Sequence, residues 1–598
     1  MSSNTAASTE SQAACRSVVE ALDRMPSKQL GENGHVEFGW SNSIQESIGQ
    51  LSFQVTRTDE SGVQELQAVL KVLLVRLKSC TLTASDKEMA IRYLSILYRM
   101  IGQTRDVIDG KGEYTLAYMM IHTWYDFYPE LSKFALKCMI DLGDKAVHQY
   151  GSWKDIKYFC AYCRDHGMSI DHPLIQYAIE LINEQVKKDS ATVATNPTGY
   201  ISLVAKWVPR ENKAFGWLYQ SLATNYFSNF LETARDETQM EKAVLKCKTE
   251  YRKLLSSLNK QIDTLQIKQC DNTWASIDFN KVTSISLTKQ KKALLNITKD
   301  RSVRFPDNPD RVACADHLRA HIKQAVEKGV EVKGKRVGMA DFTKQALEIL
   351  RSTDEDEKAL LNSQWRDSSS LSGALGKMIA MVDVSGSMSG DPMHVAIALG
   401  IRIAEKSLLG KRVMTFHSTP TWVNLDGYND FISQVEVVQR APWGGNTNFH
   451  AALDTILDAI VQNKMAAEDV ADMILVILSD MQMDAGDRCD KKALYEAMKE
   501  KYSEAGMKVH GKPYNPPHIL FWNLRSTSGF PTLQSQPNTS MMSGFSPALL
   551  NLFCDQGIDA LQTCTPFALL EQSLDNPRYH IMGEKLSSEM SLTEWEVV

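Results

Sequence analysis

The stretch Lys377-Met378-Ile379-Ala380-Met381-Val382-Asp383-Val384-Ser385-Gly386-Ser387-Met388-Ser389-Gly390-Asp391-Pro392 decides the fold of the second part of this chain. Lys377 to Val382 is a short, nearly continuous apolar run, the pattern of a strand buried on both faces of a parallel sheet. The run ends on Asp383, and hydroxyls follow at Ser385 and Ser387. Asp391 is a residue type that caps helices and Pro392 suits a first helical turn, so the polar loop sits between a strand and a helix start.

Outward from this stretch the alternation repeats. Pro392 to Leu408, Phe449 to Ile460 and Lys491 to Tyr502 read as amphipathic helices, and Arg412 to Phe416, Met473 to Leu478 and His518 to Trp522 as strands. Strands of five or six residues alternating with helices predict a doubly wound, Rossmann-like parallel sheet covered on both faces. In such sheets the ligand lies at the carboxyl ends of the strands. Three polar segments fall there: Asp383-x-Ser385-x-Ser387, Thr447 within Gly444-Gly445-Asn446-Thr447-Asn448, and Ser479-Asp480. Together they offer only oxygen donors, which suit a hard divalent cation and Mg²⁺ above all. Neutral hydroxyls quench little of the ion's charge and leave it able to take an incoming carboxylate. The plainer alternative is that Asp383 and the serines only cap a helix after a strand.

These residues resemble the metal-dependent adhesion motif of von Willebrand factor A domains: Asp-x-Ser-x-Ser, then Thr, then Asp. Asp383, Ser385, Ser387, Thr447 and Asp480 match it position by position. The resemblance implies that Ser385, Ser387 and Thr447 touch the ion directly and that the two aspartates act directly or through water.

Upstream the apolar spacing is helical, as in Leu66, Leu70, Leu73 and Leu74. Turn signals such as Asp109-Gly110-Lys111-Gly112 and Asp165-His166-Gly167 break the helices into short antiparallel pairs, the pattern of a HEAT-like solenoid. Thr104-Arg105-Asp106 with Gly110-Lys111-Gly112-Glu113, Tyr150-Gly151-Ser152-Trp153-Lys154-Asp155, and Ala205-Lys206-Trp207-Val208-Pro209 resemble the TROVE-like family of plants, fungi and large DNA viruses. Its relatives are the Ro ribonucleoproteins, in which a HEAT-like ring carries a von Willebrand A domain and binds RNA. The expected class is thus α plus α/β: a flexible N-terminal arm over 1–42, a helical-repeat body over 43–352, a charged and Ser-rich linker over 353–375, and the A domain over 376–598.

Charge patterning agrees with a polyanion partner. The whole chain carries a net charge of −6, yet Ile201 to Ala340 holds 25 Lys and Arg against 15 Asp and Glu, and Leu371 to Val598 holds 17 against 26. Lys246, Lys248, Arg252, Lys253, Lys289, Lys291, Lys292, Lys333, Lys335 and Arg336 belong to the basic surplus. They bind RNA only if they converge on one face; otherwise they are solvated helix surfaces. Trp153 and Trp207 are candidate base-stacking rings or core residues.

Other motifs carry less. Cys160 and Cys163 with His166 and His172 contain zinc-ligand types at irregular spacing and read better as buried thiols. Gly329 to Lys335 spells Gly-x-x-x-x-Gly-Lys, but Arg336 stands where a P-loop needs Ser or Thr, and no apolar strand precedes it. No enzymatic motif emerges. The absence of a long apolar run or an apolar leader predicts no membrane partner and a cytoplasmic protein, a reducing setting that suits eleven mostly isolated cysteines. The expected function is a non-enzymatic, RNA-binding, ribonucleoprotein-like scaffold with a metal-dependent site for a protein carboxylate. The alternative is a protein-interaction or virion-assembly module that binds no nucleic acid.

Overall fold

The protein, described from a computed structural model over residues 27–81, 86–328, 330–352, 354–444, 447–483, 494–554 and 562–592, is mostly helical with a largely parallel sheet in its C-terminal part. It folds into two compact units. One comprises Met1–Met100, Gly338–Thr353 and Ser369–His580, and the other Ile101–Val337, Asp354–Ser368 and Ile581–Val598.

The first unit is built on six strands: β3 (Lys377–Asp383), β4 (Arg412–Phe416), β5 (Thr421–Asn424), β6 (Met473–Ser479), β7 (His518–Asn523) and β8 (Thr539–Ser543). They lie in the order β5-β4-β3-β6-β7-β8, and every pairing is parallel except β4 with β5. The chain runs from β3 out to β5, then returns to the opposite side of β3 as β6, so the direction of winding reverses between β3 and β6. A crevice at the carboxyl ends of the strands belongs at that reversal. β6 is buried along its whole length, as its apolar sequence requires. The helix Asp391–Lys406 packs on β3, and Gly400 lets it approach: a Cβ there would stand 2.5 Å from Cγ2 of Val382.

The division of the chain departs from the expected one at three places. Residues 27–42 are no loose arm. β1 (Lys28–Leu30) and β2 (Val36–Phe38) form an antiparallel hairpin, and Phe38 exchanges two backbone hydrogen bonds of 2.9 Å with Phe530. Phe38 and Phe53 sit in the same apolar core as Met381, Leu475 and Phe521, so the N-terminal helices Ile44–Gln54 and Glu60–Cys80 belong with the sheet rather than with the helical body. The helix Met339–Ile349 also joins the sheet unit: Thr343 donates to the His394 carbonyl at 2.7 Å, and Phe342 packs edge-on against Phe431. Helical periodicity marks which face of a helix is buried and leaves its neighbour unspecified.

The third departure is the expected linker. Residues Glu355–Ser369 form a helix of the other unit with Leu360, Leu361 and Trp365 buried on one face. The charge run is its start. Asp354 accepts from the backbone N–H groups of Asp356 and Glu357, and three acidic residues fill the first turn, where the helix dipole favours them.

In the helical unit the stretches 104–113 and 150–155 bind one another. Arg105 makes a bidentate, buried ion pair with Asp155 at 2.6 and 2.9 Å, and Asp155 also accepts from Tyr118 at 2.7 Å and closes a capping box with Ser152. Val107 N–H donates to the Tyr150 carbonyl, and Gly110 has no room for a side chain, because a Cβ would stand 2.1 Å from the Gln103 oxygen. Burial alone would raise the Asp155 carboxyl. The Arg105 charge and the hydrogen bonds from Arg105, Tyr118 and Ser152 outweigh it and hold the group below the usual carboxylate range.

Candidate metal centre

Asp383 is the last residue of β3 and Ser479 the last of β6, on adjacent paired strands. Asp383 Oδ1 accepts from Ser385 N–H at 2.9 Å, which folds the loop back over the strand end, and Oδ2 accepts from the Ser479 hydroxyl at 2.6 Å. The hydroxyls of Ser385 and Ser387 lie 3.1 Å apart. Asp480 follows directly, with Oδ1 accepting from Gln482 N–H at 3.3 Å, while Oδ2 is buried and has no hydrogen-bond partner among the described residues. The turn after Asp480 carries strain at Met481, whose φ is +63°.

Thr447 stands at the neighbouring strand end. Asn448 N–H donates to the carbonyl of His417, the residue that follows β4, and the Asn448 side chain caps the helix Phe449–Gln462. Asp383 is in register with Phe416, so this hydrogen bond draws the Thr447 segment to the level just beyond Asp383. Asp383, Ser385, Thr447 and Asp480 are all buried and Ser387 is half-buried. Among the described residues the structure thus brings Asp383, Ser385, Ser387 and Asp480 together and sets Thr447 in the loop that Asn448 ties to the end of β4.

Two buried carboxyls set the electrostatics of the site. Burial pushes the Asp383 carboxyl up from 3.8 to about 7, assisted by the neighbouring Asp480 charge and opposed by the Ser479 and Ser385 hydrogen bonds. Burial raises Asp480 as well, against the Ser387 hydroxyl and the more distant Arg525 charge. Two buried carboxyls with neutral hydroxyls around them and an oxygen without a partner among the described residues are a donor set that would suit a hard cation, which would supply positive charge there. The set holds two carboxylates only; among the described residues no group of three or more His, Cys, Asp or Glu is arranged to hold a metal.

Two contributors have roles that the motif does not assign. Ser479 orients Asp383, and Arg525, just past β7, donates to the Ser389 carbonyl at 3.2 Å and acts on Asp480. Ser479 is visible only as the polar residue before Asp480 and Arg525 not at all, since both act between segments distant in sequence. Asp391 is not the expected helix cap. Gly390 occupies the cap position with φ +95°, and the Asp391 carboxylate pairs with Lys344 and, at 3.4 Å, with Arg57.

The remaining motifs find structural roles. Cys160 and Cys163 are buried in the helix Trp153–Asp165 with thiols pushed far up by burial, and His166 stacks on Tyr162 instead of turning to them. The Gly334 and Lys335 N–H groups, which a P-loop would offer to phosphate, both donate to Asp367 Oδ2. Much of the basic surplus is spoken for: Lys248 and Arg252 share Glu211, Lys253 pairs with Glu250, Lys291 and Arg301 flank the buried Glu357, and Arg336 donates to the Val107 carbonyl.

Residues 377–577 match a domain of unknown function, DUF7788, which begins at the first residue of β3, and residues 174–369 match a second, DUF2828. An uncharacterized protein of Acanthamoeba polyphaga mimivirus, L728, is 30% identical over 485 residues, a span of 78% of this chain and 76% of the viral one. The chain belongs to the family of that mimivirus protein. No helix among the described residues is long and apolar enough to cross a membrane.

Proposed function

We propose that the protein is a non-enzymatic scaffold of the Ro ribonucleoprotein type. In this reading the sheet unit is a von Willebrand A domain in which Asp383, Ser385, Ser387, Thr447 and Asp480 hold Mg²⁺, and the cation completes its shell with a carboxylate from a protein ligand. The observation that carries the reading is the buried Asp480 Oδ2, without a hydrogen-bond partner among the described residues, beside Asp383 at the point where the winding of the sheet reverses. The helical unit is read as a HEAT-like, TROVE-like body that binds RNA, and the protein as cytoplasmic.

The metal reading is tested by thermal melting of the full chain with and without Mg²⁺. The wild type is expected to melt higher with the ion, and Asp383→Ala to lose that response; an unchanged response refutes it. A second reading, a protein-interaction or virion-assembly module that binds no nucleic acid, is favoured by the ion pairs that consume Lys248, Arg252, Lys291 and Arg301. Binding of RNA by the full chain at low salt separates the two.

A further inference from the structure

The helical unit holds a cluster of cations that lacks the carboxylates found elsewhere on its surface. Lys154 and Lys157, one turn apart on the helix Trp153–Asp165, and Lys206 of the short helix Val204–Trp207 form no ion pair among the described residues. Each lies over aromatic rings instead. Lys157 Nζ is 4.8 Å from the centroid of Tyr158, 5.3 Å from Trp207 and 5.0 Å from Phe215; Lys154 Nζ is 5.1 Å from Tyr158 and 5.7 Å from Tyr114; Lys206 Nζ is 5.8 Å from Trp207. Tyr158 and Tyr114 are 37% and 50% exposed, Tyr158 packing edge-on against Phe215 and Tyr114 tilted against Tyr118, so part of each side chain faces solvent. Burial lowers all three ammonium groups; the Lys154 charge lowers Lys157 further, and at Lys154 the charges of Lys289 and Arg105 oppose the attraction of Asp155. An arriving anion relieves that cost.

The cluster continues into a groove of about 700 Å³ that Lys206 and Trp207 share with Arg210, Lys213 and Lys260, against Asp271, and with Arg252, which Glu211 holds. A positive groove flanked by partly exposed rings matches what single-stranded nucleic acids need: cations along the backbone and faces on which unpaired bases stack. A duplex uses the cations alone, because its base faces are already stacked. An acidic peptide has no use for the rings.

We propose that the face formed by Lys154, Lys157, Lys206, Tyr158 and Trp207 binds a single-stranded segment of RNA, its phosphates on the ammonium groups and its bases on the rings. This rests on the RNA-binding reading of the helical unit. The test is fluorescence anisotropy of the full chain with a labelled oligouridine and with an RNA duplex of the same length, over a series of salt concentrations. The wild type is expected to prefer the single strand. Replacing Lys154, Lys157 and Lys206 together by Gln is expected to reduce the slope of log affinity against log salt by about 2, at about 0.7 for each phosphate no longer neutralised. Tyr158→Ala, its fold checked by thermal melting, is expected to weaken oligouridine about tenfold and leave the duplex unchanged. Lys253→Gln, whose lysine is 68% exposed and paired with Glu250, is expected to bind like the wild type. Wild-type binding that survives both the triple variant and Tyr158→Ala overturns the proposal and leaves RNA binding elsewhere on the chain intact. Equal affinity for the duplex, or polyglutamate competing as well as unlabelled oligouridine, overturns the single-strand assignment, and no binding at low salt overturns the RNA reading with it.

Discussion

Asp383→Asn is expected to stabilise the metal-free protein while removing its response to Mg²⁺. In the fold the Asp383 carboxyl titrates near 7 against an ordinary value of 3.8, so keeping it ionised at pH 8 costs about 4 kcal/mol at 1.36 kcal/mol per pH unit. The folded state then binds a proton that the unfolded state has already released between about pH 4 and pH 7, so this residue's contribution to stability falls as pH rises through that window and is flat above it. Asparagine keeps an oxygen for Ser385 N–H and turns its amide to Ser479 Oγ, but exchanges a charge-assisted hydrogen bond for a neutral one, a loss of about 1–2 kcal/mol. The net expectation is a gain of about 2 kcal/mol in EDTA at pH 8, shrinking towards pH 5. Urea denaturation of the full chain in EDTA, followed by near-ultraviolet circular dichroism at pH 5 and pH 8, reads it directly. A variant less stable than the wild type at pH 8 refutes the reasoning, because that is what loss of a merely structural loop anchor produces. A variant that keeps the Mg²⁺-induced shift refutes it as well.

Asp155→Ala is expected to cost about 3–5 kcal/mol in urea melts, because it strands the Arg105 guanidinium, whose side chain is 10% exposed, without its partner; a loss under about 1 kcal/mol shows that water reaches the pair. The Asp155 carboxyl is held below its usual range, so the stability it supplies is present above about pH 4 and is lost as pH falls further, a slope that the variant's acid titration is expected to lack. Gly334→Ala places a Cβ 1.8 Å from the Gln364 carbonyl oxygen and is expected to destabilise the helical unit by more than about 2 kcal/mol. Neither that variant nor the wild type is expected to bind ATP in equilibrium dialysis, since Asp367 already holds the Gly334 and Lys335 N–H groups; saturable binding by the wild type contradicts this.

How far the fold is legible follows from where each element's stabilising interactions lie. β3, β4, β6 and β7 are apolar runs buried between helices, and each sits within a residue of its expected bounds. β5 and β8 escape such a reading. In β5 only Val423 of four residues is buried, too short a pattern to register. β8 reads Thr-Ser-Met-Met-Ser and is buried throughout, which its hydroxyls tolerate only because Ser540 meets His518 at 2.8 Å and Ser543 donates to the Ser52 carbonyl at 2.9 Å. Those partners stand 22 and 491 residues away. The same distinction governs the candidate site. Its five matching residues can be named from spacing, whereas Ser479's grip on Asp383 across 96 residues and Arg525's reach to the Ser389 loop need the strand order.

Charge shows the limit of counting most clearly. The excess of Lys and Arg in Ile201 to Ala340 points to a polyanion, but a cation is available to phosphate only if no carboxylate already holds it. Glu211 and Glu357 between them engage Lys248, Arg252, Lys291 and Arg301. The cations that have no such partner include Lys154 and Lys157, which lie outside that basic window and in a stretch where Asp155 and Asp165 mask them in any local sum. Asp155 is fully engaged by Arg105, Tyr118 and Ser152, so it lends the neighbouring lysines no ion pair. The buried network that ties the helical segments together therefore commits the Asp155 hydrogen bonds to Arg105, Tyr118 and Ser152 and leaves Lys154 only its through-space attraction, which the charges of Lys289 and Arg105 oppose. On that argument Asp155→Ala tests more than stability: if the fold survives, the freed Arg105 charge raises rather than lowers the affinity of the full chain for oligouridine, and a fall in affinity would show that Asp155 positions the lysines instead.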